Sequence, residues 1–159
     1  MSLTNLRDLP PARLLDMPPV WLALFVALAW VQARYLPVLP WTYPMVDLLA
    51  GVLVGAGLLL MGLALAEMRR ARTTIIPHLP PDALVTTGVF NRSRNPVYLG
   101  DTLVLAGLIL FWRAWPSLLL VPLFMWVITD RFIRPEEARL RARFGPQFEH
   151  WTRRVRRWL

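Results

Sequence analysis

Cysteine is absent from the 159 residues, which excludes disulfides, thiolate zinc sites and iron–sulfur clusters. Histidine is scarce: His78 and His150 are isolated from each other, so neither a histidine-rich metal site nor metal-assisted chemistry is expected. Lysine is missing too, and all 18 basic residues are arginine. No glycine-rich dinucleotide fingerprint precedes a strand–helix unit. The first residues also lack a small-residue cleavage signature before a short apolar region. They carry Arg7, Asp8, Arg13 and Asp16 among Pro10, Pro11, Pro18 and Pro19, and read as a retained cytosolic lead-in.

What the chain does have is apolar surface. Hydrophobic residues make up 56% of it and the mean hydropathy is +0.44, more than a soluble fold of this length needs. Lipid is the solvent this composition implies. A formal charge of +8 and a pI of about 11.5 would suggest nucleic acid in a soluble protein. Here most arginines flank apolar runs, a pattern that fits phospholipid headgroups and not nucleic acid.

Four apolar stretches, at 20–36, 45–68, 97–112 and 116–133, predict an all-α, polytopic membrane protein. The uncharged connection at 37–44 carries Trp41 and Tyr43, residues of the membrane interface, and is expected outside. Arginines gather in the 69–94 loop and in the tail, which places both termini in the cytosol, in an inner or plasma membrane. The turn Arg113-Ala-Trp-Pro116 should close a tight helical hairpin. Beyond Arg134, apolar residues recur by threes and fours among arginines, predicting one or two interfacial helices. The whole is one integral membrane domain: residues 1–72 hold the lead-in and a two-span pair, and 73–159 hold the hairpin and tail. The Gly51/Gly55 pair gives a small-xxx-small surface, suited to packing within the bundle or to a homodimer. Asp47 and Glu67 sit near the ends of their span and receive no catalytic role.

Two polar constellations flank the hairpin. Pro96 biases Asn95 away from helix, so Arg92 to Asn95 should lead into a helix whose N-terminus can hold an anion. Arg131-Phe-Ile-Arg134-Pro-Glu136-Glu137 stands at the other end, on the same cytosolic surface as Tyr98. Paired carboxylates there suit a cation or a ribose diol. The alternative is structural: Pro135, Glu136 and Glu137 open a helix whose dipole favours acids. Tyr98 can likewise be an interfacial anchor, and Arg94 a headgroup ligand.

Leu84-Val85, Gly88-Val89-Phe90, Arg94-Asn-Pro-x-Tyr98-x-Gly100, then Glu136-Glu137 with Leu140, Phe144-Gly145 and the basic aromatic tail form an ordered set. That set, over residues 73–158, resembles the isoprenylcysteine carboxyl methyltransferases and related phospholipid methyltransferases. The resemblance implies methyl transfer from S-adenosylmethionine to a lipophilic small molecule or lipid-modified acceptor, without a metal. It implies cofactor contacts from Asp82, Ala83, Leu84, Val85, from Phe90, from the tetrad Asn95, Pro96, Val97 and Tyr98, and from Glu136. Arg94 is added for the methionyl carboxylate and Glu137 as the partner of Glu136. An arginine before the glutamate pair meets the acceptor in the family. The gapless match falls on Phe132, so Arg131 or Arg134 stands in.

The chain departs from the family in places. Many members have histidine at Asn95 and Asp82 and tyrosine at Phe90, and asparagine cannot act as a base near neutral pH. Two other readings are a membrane reductase, because some sterol reductases share a similar C-terminal architecture, and a non-catalytic membrane interaction protein. A nicotinamide cofactor would need more phosphate-binding groups than this sequence offers.

Overall fold

A computed structural model describes residues 16–36, 43–73 and 83–159. Among these every regular element is helical: α1 (Pro18–Tyr35), α2 (Pro44–Arg70), a 3-10 turn (Gly88–Asn91), α3 (Pro96–Phe111), α4 (Trp115–Phe144) and α5 (Pro146–Arg154). Each of α1, α2 and α3 has proline in its first turn, where the missing N–H leaves no bond unmade. The 37–42 connection, the loop prolines at 77, 80 and 81, and Asp82 lie outside the described residues.

Two helices, α2 and α4, are long and apolar enough to cross a bilayer. The apolar α3, with 16 residues, is shorter, and α1 has 18. Leu58, Leu59, Leu119 and Trp126 are exposed, a surface suited to lipid.

The closest packing is between α2 and α3, where small residues let the backbones approach. A Cβ added at Gly57 would stand 2.6 Å from the Gly100 carbonyl oxygen, and one at Gly107 would stand 2.8 Å from that of Ala50. Ala50, Gly57 and Ala64, spaced by sevens, are the buried residues of α2 and form its inner seam. This corrects the expectation for Gly51 and Gly55. Both point away, with nothing within 4 Å of an added Cβ, so that pair does not pack the bundle.

The second core joins α1, α3 and α4 through Phe25, Leu105, Ile109, Phe124 and Ile128. Phe25 and Phe124 meet edge to face, centroids 5.3 Å apart. Polar contacts fix both ends. At one end the Ser117 hydroxyl donates to Gln32 at 2.8 Å and Arg113 pairs with Asp47 at 3.2 Å. At the other, Arg131 pairs with Asp16 at 2.6 Å.

The end of the hairpin differs from the sequence reading. No helix begins at Pro135: α4 runs through Arg134 without a break, passing through a π turn at Thr129–Ile133 in which the Arg134 N–H reaches back to the Thr129 carbonyl. The helix-start explanation of Glu136 and Glu137 therefore falls, since both lie inside a continuous helix. The chain breaks instead at Gly145, whose positive φ of 45° lets α5 fold back.

Candidate functional site

At the mouth of the hairpin the α3 N-terminus, the later turns of α4 and the tail after α5 converge. Tyr98 is buried on the first turn of α3 and directs its hydroxyl at Glu136 Oε2 across 3.4 Å. One residue along α4, Glu137 receives Arg157 through both oxygens, at 3.0 and 2.7 Å, and Arg94 at 3.2 Å. A single carboxylate thus ties together α4, the tail and the approach to α3.

The turn before α3 is clamped by the tail backbone. The Arg94 N–H donates to the Arg156 carbonyl at 3.0 Å, and Asn95 donates its side-chain amide to the Arg157 carbonyl at 2.9 Å. Ser93 lends its hydroxyl oxygen to the Asn95 N–H at 3.2 Å. Asn95 therefore uses its amide to seat the tail, an assignment the sequence reading did not make. Burial pulls the Arg94 guanidinium down from the usual arginine range, Glu137 opposes the shift, and Arg157 and Arg141 add to it. Arg157 moves the other way, raised by its hydrogen bond to Glu137. The Arg94 Nε is buried with no hydrogen-bond partner. Such an orphaned donor is costly unless an acceptor atom or a water meets it.

The remaining residues of the resemblance form an apolar wall. Val85 and Phe90 are buried against Ala64, Phe148, Trp151 and Val155, with Leu84 and Val97 packed around them. The indole of Trp151 donates to the Phe90 carbonyl at 3.3 Å. Ala83 fixes the start of the segment by donating its N–H to Thr73 at 3.3 Å, and Pro96 is fully buried at the first turn of α3. Gly88, at φ 56°, lets the backbone turn over the Glu67 side chain, which accepts from Thr87 at 2.8 Å.

Arg131 and Arg134 do not enter the Tyr98–Glu136 cluster. Arg131 is exposed, paired with Asp16 and lying over the Trp21 ring at 5.3 Å. Arg134 is exposed and paired with Asp130 at 2.6 Å. Sequence reasoning missed three participants. Arg157 was hidden in a basic tail. Ser93 gave no signal. Asp101, buried on α3, did give one: it is the lone charged residue of an apolar helix, a position that points to function. A cleft of about 300 Å³ lies elsewhere, between the turn after Val85 and α5, lined by Asn91, Gln147, His150 and Arg154 over Trp151 and Val155.

No curated protein and no solved structure matches the chain. A family model does, over residues 46–147: that of the phospholipid methyltransferases. The match runs from the start of α2, through the α3–α4 hairpin, to the first turn of α5, and so takes in the elements that build the mouth. It covers well over half of the sequence, and the chain belongs to the phospholipid methyltransferase family, a family of membrane methyltransferases.

Proposed function

We propose that this protein transfers a methyl group from S-adenosylmethionine to a lipophilic acceptor at the cytosolic face of a membrane. The observation that carries the reading is the cluster at the hairpin mouth, in which Tyr98 meets Glu136 while Arg94 and Arg157 share Glu137.

The residues present suit the cofactor's three polar chemistries, a sulfonium, an α-amino acid and a ribose diol. The orphaned Arg94 N–H matches a carboxylate. Glu136 has one oxygen facing Tyr98 and a second that makes no hydrogen bond among the described residues, which matches a diol or an ammonium. The Tyr98 ring offers a face to a cation, and Ala83, Leu84, Val85 and Phe90 supply an apolar wall. When bound, the cofactor supplies a methyl carbon made electrophilic by its sulfonium. The chain's own task is placement: to hold that carbon near an incoming lone pair and keep water away.

The acceptor arrives from the bilayer. Four helices cross or enter it, with both termini cytosolic; exposed Arg153, Arg154 and Arg156 lie against headgroups, and Arg131 and Arg134 at the rim meet the acceptor's polar end. Equilibrium binding of S-adenosylmethionine to the detergent-solubilised protein tests the reading, and a protein that is folded but does not bind overturns it. Lipid extracts incubated with methyl-labelled cofactor then identify the acceptor.

A further inference from the structure

The cleft of about 300 Å³ between the turn after Val85 and α5 is separate from the hairpin mouth: none of Arg94, Tyr98, Glu136, Glu137 and Arg157 lines it. One wall is a single stripe of α5, because Gln147, His150, Trp151 and Arg154 recur by threes and fours along that helix. Thr86 and Asn91 form the other wall, and the buried Trp151 and Val155 form the floor. The side chains of Thr86, Asn91, Gln147, His150 and Arg154 make no hydrogen bond or ion pair among the described residues. Each of them can donate a hydrogen bond, and the lining contains no carboxylate. The acid of α5, Glu149, is engaged by Arg141 at 2.6 Å. Arg153 and Arg154 both complement the dipole at the end of α5, but only Arg154 lines the cleft.

A cleft lined by donors around one guanidinium, with no acid among them, suits an anion. Its depth says which anion. The 3-10 turn ends shortly before α3 begins, Thr87 is held by Glu67 in the last turn of α2, and the tail after α5 meets the Arg94 N–H. The cleft therefore stands level with the ends of α2 and α3, at headgroup depth, where the abundant anion is a lipid phosphodiester and arginine is the side chain that forks onto it. We propose that this cleft binds the phosphodiester of an anionic phospholipid, one that does not enter the mouth. Arg154 supplies the charge, and Asn91 and Gln147 donate from opposite walls above the Trp151 indole. A zwitterionic lipid would bring an ammonium group for which the lining has no carboxylate, so it is the poorer ligand. The bound headgroup bridges α5 and the turn, where Trp151 already donates to the Phe90 carbonyl at 3.3 Å, and so stabilises the fold.

Full-length parent, Arg154→Gln and Arg153→Gln proteins in non-ionic detergent at physiological ionic strength are titrated with dioctanoyl phosphatidylglycerol, dioctanoyl phosphatidylcholine, inorganic phosphate and S-adenosylmethionine, by calorimetry and by thermal midpoint. The two variants lose the same charge at adjacent residues, so attraction to a merely basic surface would weaken equally in both. Arg154→Gln should bind phosphatidylglycerol about tenfold or more weakly, the loss of one charge-assisted hydrogen bond. Arg153→Gln should stay within about twofold of the parent. The parent should prefer phosphatidylglycerol to phosphatidylcholine, and its midpoint should rise with phosphatidylglycerol, a rise that Arg154→Gln should lose. Equal losses in the two variants, or equal binding of the two lipids by the parent, would overturn the inference. Inorganic phosphate that bound through Arg154 as tightly as phosphatidylglycerol would overturn the lipid assignment and make this a site for free phosphate. Loss of S-adenosylmethionine affinity in Arg154→Gln would overturn it as well, by placing the cleft in the cofactor's site. A parent that binds phosphatidylglycerol through Arg154 but not S-adenosylmethionine would defeat the proposed function and leave the lipid site standing. Should Arg154→Gln not fold, Asn91→Leu on the opposite wall carries the same comparisons, and unchanged lipid binding there would overturn the inference.

Discussion

Arg157 grips both oxygens of Glu137 although twenty residues separate them, and Arg94 reaches one of the same oxygens at 3.2 Å. A residue two places from the last of the sequence thereby fixes the geometry in front of α3. The side chain of Glu137 is only 13% exposed, so the pair is not one of the solvent-screened surface contacts that contribute little.

Replacing Arg157 with methionine keeps length and removes the charge. Stability should fall by about 1.5–3 kcal/mol, the range for hydrogen bonds to a charged group. Arg153→Met, at an exposed position, is the control and should change stability by less than about 0.5 kcal/mol. Thermal unfolding in detergent reads both, and equal midpoints for the two variants would mean that the tail is not held through Glu137.

Glu136→Gln keeps shape and removes charge where the cofactor is proposed to sit. Affinity for S-adenosylmethionine should drop by about 1.5–3 kcal/mol by calorimetry. Glu149→Gln breaks the pair with Arg141 on the exposed outer face of the tail and should leave affinity alone. A folded Glu136→Gln protein that binds like the parent would remove this glutamate from the site.

The seam between α2 and α3 predicts opposite outcomes for two glycines two positions apart. Gly57→Ala places a methyl against the Gly100 carbonyl and should cost about 1–3 kcal/mol of stability, as overpacking does. Gly55→Ala enters open space and should cost nothing. If Gly55→Ala were the damaging change, the outward face of α2 would be an interface between copies of the chain.

Single cysteines in this cysteine-free sequence test the topology. Those at 37–44 and 113–115 should react with a membrane-impermeant reagent from outside, and those at 72, 92 and 150 should not. External labelling at position 150 would reverse the assignment of the C-terminus.

Much of the hairpin was legible from residue order. Pro96 set the start of α3, the Arg113–Pro116 turn set its return, and the spacing from Tyr98 to Glu136 let two helices of similar length bring the pair level. Legibility failed where a contact depends on azimuth and not on spacing. Gly51, Gly55 and Gly57 all lie on one turn or the next, and nothing in their order says that Gly57 faces α3 while the other two face out. Arg157 looked like any other arginine of a basic tail, because only the return of the chain after Gly145 brings it to Glu137. Asp101 was a different case. A single acid inside an apolar stretch was visible in the sequence and was passed over because no motif includes it.

The π turn at Thr129–Ile133 makes the count of residues in α4 a determinant of chemistry. A regular helix advances by about 100° per residue, and a turn closed over one extra residue changes the phase of everything beyond it. Deleting one residue from this segment would leave the span long enough for the bilayer and its hydropathy almost unaltered. It would nevertheless rotate Glu136 and Glu137 together by roughly a quarter of a circle, away from Tyr98 and Arg94. The two ends of α4 are thus set to different angular origins, one facing the apolar core and one facing the mouth. Among related chains, a gap of one in this stretch would be a change of site and not a neutral difference in length.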